Sequence, residues 1–194
     1  SSQWVAPLVN PIKGEKILDA CSAPGSKTTH LAALANDEAE ILAVDRSEKR
    51  LKILQSNLER LNIKSVKTFK ADATSLIDIK PNLLSYFDKI LIDAPCSGIG
   101  TFARNPDIRW SLSKDKINQL IILQERLLES IFPLLKRNGT LVYSTCTICP
   151  EENNLLIKNF LSKNKELKLD TERQILPRFD KPGDGFYAAK ISYK

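Results

Sequence analysis

The stretch KILDACSAPGSKTTHLAALA, residues 16–35, decides the fold class. Lys16 to Cys21 reads as a short strand, Ala23-Pro24-Gly25 as a tight turn, and Thr28 to Ala35 as a helix entered directly from it. A strand that passes straight into a helix is the unit from which parallel sheets are built. Working outward, ILAVD (41–45) supplies a second strand, and the helix after it sets Leu51, Leu54, Leu58 and Leu61 at spacings of three and four. SVKTFKAD (65–72) is a third strand and FDKILIDAP (87–95) a fourth, apolar on both faces at its centre, as a strand covered on both sides should be. From Asp115 to Lys136 the apolar positions keep helical spacing; Asn138-Gly139 is expected to end that helix and launch a fifth strand, TLVYSTC (140–146). Pro150 is expected to open another helix, with Glu151 and Glu152 in its first turn where acidic side chains suit the dipole. The tail carries a turn at Lys181-Pro182-Gly183-Asp184-Gly185 and a last strand, FYAAKIS (186–192), placed at the sheet end. The expectation is a doubly wound α/β fold, a mostly parallel sheet with helices on both faces.

Composition agrees with one globular unit. With 194 residues, 42% of them hydrophobic, the chain buries roughly 70% of the surface it exposes unfolded, so it needs no disulfide scaffold. No apolar run approaches the ~20 residues of a spanning helix and SSQWVAPLVNP lacks the pattern of a signal peptide, so a cytoplasmic location without membrane contact is expected. Residues 1–97 hold 13 basic and 12 acidic side chains, and residues 98–194 hold 16 and 11, so +5 of the net +6 sits in the second half. That suits a polyanionic partner, although a solvated lysine-rich surface would read the same way.

Four cysteines are present: Cys21, Cys96, Cys146 and Cys149. In a cytosolic chain they are expected to be thiols. The CTIC pair at 146 and 149 has no second pair at zinc spacing, and the only histidine is His30, so no metal site is expected.

Ligands of doubly wound sheets bind beyond the carboxyl ends of the strands. Those ends carry Asp19 and Cys21, then Asp45, Asp72, Asp93 with Cys96, and Cys146: four acids and three thiols on one rim. The first turn holds a single glycine, Gly25, so it is neither a dinucleotide loop nor a P-loop, in spite of Lys27-Thr28. An acid ending the second strand suits ribose hydroxyls, and a tight first turn suits a nucleoside without phosphates. S-adenosylmethionine is the expected cofactor.

Taken in order, DACSAPGSKTTHLA (19–32), ILAVDRSEKRL (41–51), DKILIDAPCSGIGTFARNPDIRW (88–110), LVYSTCTICPEEN (141–153) and DGFYAAKI (184–191) resemble the motif series of the NOL/NOP/Sun family of RNA cytosine-5 methyltransferases, with RNPDIRW closest to its bacterial ribosomal branch, the RsmB (Sun) proteins. The resemblance spans nearly the whole chain. It implies a class I, Rossmann-like methyltransferase fold in which a final antiparallel strand joins the parallel sheet. It implies that residues 1–194 are a single catalytic domain, cut from a longer protein with an amino-terminal RNA-binding portion, and that this domain alone binds cofactor but methylates RNA poorly. It also implies a small-subunit (16S) ribosomal RNA substrate; a monomer is expected.

By the same resemblance, Cys21, Ser22, Ala23, Pro24, Gly25, Ser26 and Lys27 form the cofactor loop, with Ser22 and Ser26 departing from the commoner alanine and glycine. Asp45 would hold the ribose, Asp72 would lie near the adenine, Arg50 near the cofactor, and Asp93 between cofactor and base. Cys146 is the implied nucleophile for carbon-6 of cytosine and Cys96 the thiol that assists its release. That assignment suits the chemistry, because carbon-5 becomes nucleophilic only when a soft thiolate adds to its neighbour. Cys149 matches no family position. Arg104, Arg109 and Trp110 are candidates for RNA contact, with Trp110 more readily a loop anchor packed on the following helix. Competing readings are a tRNA cytosine-5 methyltransferase, an RNA-binding assembly factor with little activity, and an amino-group methyltransferase; DAPCSG in place of Asn/Asp-Pro-Pro-aromatic disfavours the last.

Overall fold

The computed structural model describes residues 2–177 and 183–194. Its seven strands are β1 (Lys16–Asp19), β2 (Glu40–Asp45), β3 (Val66–Lys70), β4 (Phe87–Asp93), β5 (Leu135–Thr145), β6 (Leu167–Ile175) and β7 (Phe186–Tyr193). They form one sheet in the order β3-β2-β1-β4-β5-β7-β6. The first five are parallel, and β7 runs antiparallel between β5 and β6. The helices are α1 (Val5–Val9), α2 (Ser26–Leu34), α3 (Glu48–Arg60), α4 (Leu76–Ile79), α5 (Ile108–Ser111), α6 (Lys114–Ile131) and α7 (Asn154–Lys163). The doubly wound, Rossmann-like methyltransferase fold is therefore present, with its antiparallel strand.

Strand alternation assigns the two covered faces. Ile90, Ile92 and Tyr143 point toward Leu128 and Ile131 of α6 and Ile157 and Phe160 of α7, whereas Leu91 and Val142 meet Val5 and Val9 of α1 and Leu31 of α2. Leu51, Leu54 and Leu58 of α3 pack on Ala43 as their spacing predicts, but Leu61 lies beyond the helix end and is exposed.

Three boundaries differ from those expected. The long helix stops at Ile131, because Pro133 lacks the N–H an interior position would donate and its ring clashes with the preceding turn. Strand β5 accordingly starts at Leu135, and Asn138-Gly139 lie within it, where the register with β4 jumps from Phe87↔Leu135 to Lys89↔Thr140. Strand β7 is interior, because β6 supplies the edge. That strand was missed: of LKLDTERQI only Leu167 is buried, so an edge strand with polar faces shows no apolar period. The expected turn at 181–185 lies partly outside the described residues.

The β1–α2 turn is held by two contacts. Gly25 has φ of +108° and lies against Leu54, where a Cβ would collide with that side chain. Asp19 is fully buried and accepts a hydrogen bond from the Thr28 hydroxyl at 2.7 Å, joining the strand end to the first turn of α2. Burial raises the Asp19 carboxyl from its ordinary value near 3.8 to about 7.

Two outcomes follow. Gly25→Ala should lower stability by about 1–3 kcal/mol, combining backbone strain and overpacking, as read by thermal unfolding. For Asp19, the folded state holds a proton that the unfolded chain releases near pH 4. Its contribution to stability is therefore complete in acid and lost as pH rises toward 7. Asp19→Asn should flatten this fall in denaturant titrations across that window; an unchanged slope would show that Asp19 folds ionised.

Candidate active site

The carboxyl ends of β1 and β2 and the segment after β3 open onto a cleft. Ala20, Ala71, Ala73, Pro95, Leu123 and Leu127 give it an apolar lining, and Cys21, Asp45, Arg46, Arg50 and Asp72 a polar rim. Asp45 is almost fully buried. Its Oδ2 accepts the Ala23 N–H at 3.2 Å, its Oδ1 accepts the Ser47 N–H at 2.8 Å, and Arg50 Nη1 stands 3.3 Å from Oδ2. A carboxylate has about four lone-pair sites, so acceptor capacity is left for hydroxyls. Arg50 also donates to the Ala23 carbonyl and so ties α3 to the first turn. Asp72 is exposed, and its Oδ1 accepts both the backbone N–H and the hydroxyl of Thr74, which hold its carboxyl below the ordinary range. Flat apolar walls beside a buried acid at the end of β2 fit a nucleoside.

Of the seven turn residues expected to bind cofactor, only Cys21 lines this cleft. Ser22 is buried with its hydroxyl donating to the Val44 carbonyl, Ala23 and Gly25 are buried in the turn, and Pro24 and Ser26 face solvent. Lys27 turns to the next strand: its Nζ lies 2.6 Å from Asp93 Oδ2. Arg46, Leu123 and Leu127 were missed. The leucines belong to the apolar period of α6, in which a cleft wall and a core contact look alike.

The second part of the site lies beyond β4 and β5. These strands pair in register through Asp93↔Ser144, so residues 94–98 and 146–149 leave the sheet side by side. Asp93 accepts the Ser144 hydroxyl at 2.8 Å on Oδ1, and Lys27 holds Oδ2. Next to it, the sulfurs of Cys96 and Cys146 are 3.3 Å apart, and Cys96 Sγ accepts the Cys146 N–H at 3.3 Å. The two thiols are driven in opposite directions. Hydrogen bonding from Cys96 lowers Cys146, with the Lys27 ammonium assisting against burial and Asp93. Cys96 itself is raised well above the ordinary thiol range by that same bond and by burial. The structure thus brings Cys146, Cys96, Asp93 and Lys27 to one point.

The other thiols lie apart. Burial, together with Asp19, Asp93 and Asp45, pushes Cys21 far up. Cys149 donates to Glu151 Oε2 at 3.0 Å and is raised to about 11, chiefly by burial. Among the described residues no three His, Cys, Asp or Glu side chains are arranged to hold a metal.

Pro150 opens a 3-10 helix, Pro150–Glu152, with Glu151 and Glu152 in its first turn as expected, but Asn153 separates it from α7, which begins at Asn154, and the Glu152 side chain is fully buried beneath the thiol loops. Trp110 is not a packed anchor, since 85% of it is exposed. It stands on α5, carried by the segment that leaves Cys96 and is pinned to the other thiol loop by a hydrogen bond from the Gly100 N–H to the Cys146 carbonyl at 3.1 Å. Arg104 is ion-paired with Asp184.

Comparison with known proteins places this geometry. Ribosomal RNA small subunit methyltransferase B of Photorhabdus laumondii subsp. laumondii is 44% identical over 200 residues, covering 99% of this chain and 45% of that protein. The probable ribosomal RNA small subunit methyltransferase B of Synechocystis sp. is 46% identical over 166 residues, covering 86% of this chain and 37% of its own. The chain thus spans less than half the length of these relatives. Among solved structures, NSun6 from Pyrococcus horikoshii with SFG, an S-adenosylmethionine analogue, is 32% identical at a TM-score of 0.88, covering 99% of this chain and 51% of that one. A methyltransferase homolog protein from the same organism is also 32% identical, with a TM-score of 0.84 over 100% of this chain and 66% of that one. The family described as 16S rRNA methyltransferase RsmB/F matches residues 6–192, and the chain belongs to it.

Proposed function

We propose that this chain is the catalytic domain of an S-adenosylmethionine-dependent methyltransferase that forms 5-methylcytosine in small-subunit ribosomal RNA, through covalent addition of Cys146 to carbon-6. The observation that carries the reading is the pair of thiols 3.3 Å apart beside Asp93, one favoured as thiolate and the other held as thiol. The names of the relatives supply the RNA. Their greater length fits a protein whose RNA-binding portion lies outside this domain, and a domain that turns over slowly by itself. The reading takes the domain as a cytoplasmic monomer; among the described residues no helix is long and apolar enough to cross a membrane.

Asp45 and Asp72, with the apolar cleft walls, would hold S-adenosylmethionine, whose sulfonium supplies an electrophilic methyl group. Cys146 Sγ forms a bond to carbon-6, and the ring double-bond electrons move onto carbon-5 and the amidine edge. Asp93, fixed by Ser144 and Lys27, would accept a hydrogen bond from the amino group, and a proton taken from solvent and shared between its carboxyl and nitrogen-3 would neutralise that edge as it gains charge. Once carbon-5 carries the methyl group, its remaining proton leaves to solvent water acting as base. The electron pair it releases re-forms the double bond and expels Cys146 as thiolate. Cys96, held as a thiol beside the departing sulfur, donates a hydrogen bond to it and so assists this step. Addition to a ring face requires an unpaired or flipped base, and the exposed Trp110 is a stacking surface at the entrance.

The test is methyl transfer from labelled S-adenosylmethionine to unmodified small-subunit ribosomal RNA under single-turnover conditions, with gel detection of denaturation-resistant adduct. The parent should form 5-methylcytosine, Cys146→Ala should form neither product nor adduct, and Cys96→Ala should accumulate adduct; product from Cys146→Ala would overturn the assignment. Trp110→Ala should weaken RNA binding by about tenfold, the order of one lost base stack, with cofactor affinity unchanged.

A further inference from the structure

Beneath the two thiol loops lies a closed polar cluster that the reaction chemistry does not use. Glu152, Asn153, Gln124, Thr145 and Thr147 are fully buried, and Ser97 nearly so. Glu152 Oε1 accepts the Ser97 N–H at 2.8 Å and the Gln124 side-chain amide at 3.0 Å, and Oε2 accepts the Ser97 hydroxyl. The same Gln124 amide reaches the Pro95 carbonyl at 2.8 Å. Asn153 grips the other loop: its Oδ1 accepts the Thr145 hydroxyl at 2.6 Å and its Nδ2 donates to the Thr147 carbonyl at 3.0 Å. Ser97 and Thr147 join the halves through hydroxyls 2.7 Å apart. These partners are the immediate neighbours of Cys96 and of Cys146.

No Lys or Arg among the described residues lies at ion-pair distance from Glu152. A buried carboxylate held only by neutral donors is costly unless it is well hydrogen-bonded. Here three donors engage both of its oxygens. The Cys149 N–H donates to Thr147 Oγ1 at 3.2 Å, so the Thr147 hydroxyl is free to donate to Ser97 and the Ser97 hydroxyl to Glu152. The chain of hydrogen bonds runs one way, from the loop of Cys146 to the loop of Cys96, and ends on the carboxylate.

We propose that Glu152 is a positioning residue: its carboxylate latches the Cys96 loop against the Cys146 loop and so sets the contact between the two sulfurs. This rests on the two-thiol reading above. The latch keeps the Cys96 S–H aimed at Cys146, so the nucleophile is stabilised as thiolate before a base arrives. Glutamine can take the same place, accepting from Ser97 N–H and Gln124 with its oxygen and donating to the Ser97 hydroxyl with its amide, provided that Ser97 then donates to Thr147 in reverse of the native direction. Alanine cannot.

The experiment is the pH dependence of Cys146 alkylation by iodoacetamide, mapped by peptide mass, with calorimetric S-adenosylmethionine affinity as control. Cys96, Asp93, Lys27 and Arg104 are the titratable and charged groups facing Cys146. Glu152→Ala should move its profile up toward the ~8.5 of a free thiol and slow alkylation at pH 7 by about three- to tenfold. Glu152→Gln should stay within about twofold of the parent. The sign is diagnostic, because removing a negative charge without moving a loop would shift the profile down. Ser97→Ala, a milder cut of the same chain, should shift it up by less and decides the matter should Glu152→Ala not fold. A parental or lowered profile in folded Glu152→Ala, or in Ser97→Ala if that variant alone folds, would overturn the latch. The alkylation profile needs no methyl transfer, so an inactive parent would count against the proposed reaction and leave this result readable.

Discussion

Parallel pairing of β4 with β5 is the constraint on which the site depends. Neighbouring strands lie about 4.8 Å apart, and the register Asp93↔Ser144 makes both end at the same level. Everything beyond that level is therefore adjacent: Asp93 to Ser144, Cys96 to Cys146, and Ser97 to Thr147. A slip of two residues would carry the sulfurs roughly 6–7 Å apart along the strand direction. The register is in turn tied to packing on both faces, since Ile90, Leu91, Ile92, Val142 and Tyr143 are all inaccessible to solvent, and a one-residue slip would exchange the side chains that meet α6 and α7 with those that meet α1 and α2.

The environment then distinguishes residues of one type. Four cysteines stand at or near the strand ends, and only Cys146 is biased toward its thiolate. Cys21 faces three carboxylates, Cys96 gives its proton's hydrogen bond away, and Cys149 lies beside Glu151. Lys27 contributes to the bias on Cys146 while also holding Asp93, so one ammonium serves two neighbours in a poorly solvated place.

Much of this was legible in the sequence, and what escaped had physical reasons. The strand ends were readable because buried parallel strands are continuous apolar runs, and Asp45, Asp93, Cys96 and Cys146 follow them directly. The nominated cofactor turn was legible as a turn, but not in its orientation: of its residues Cys21 alone reaches the cleft, and Lys27 serves the neighbouring strand. Edge strand β6 carries no apolar period. Glu152 looked like a helix-capping acid, because a charge beside Pro150 reads as solvated unless its buried donors, 28 and 55 residues away, are known. Trp110 misled in the opposite sense, since a large aromatic before a helix is ordinarily packed.

The interior place of β7 has a temporal meaning. Strand β5, which delivers Cys146, has β4 on one side and β7 on the other, and β7 is built from residues 186–193, after every other strand in chain order. During synthesis the first five strands can collect as they emerge, but the edge beside Tyr143 and Ser144 stays open until that segment arrives and inserts between β5 and β6. Such long-range pairing is slow compared with local helix formation. Strand β5, which carries Cys146, is thus among the last parts of the sheet to gain its full set of hydrogen bonds.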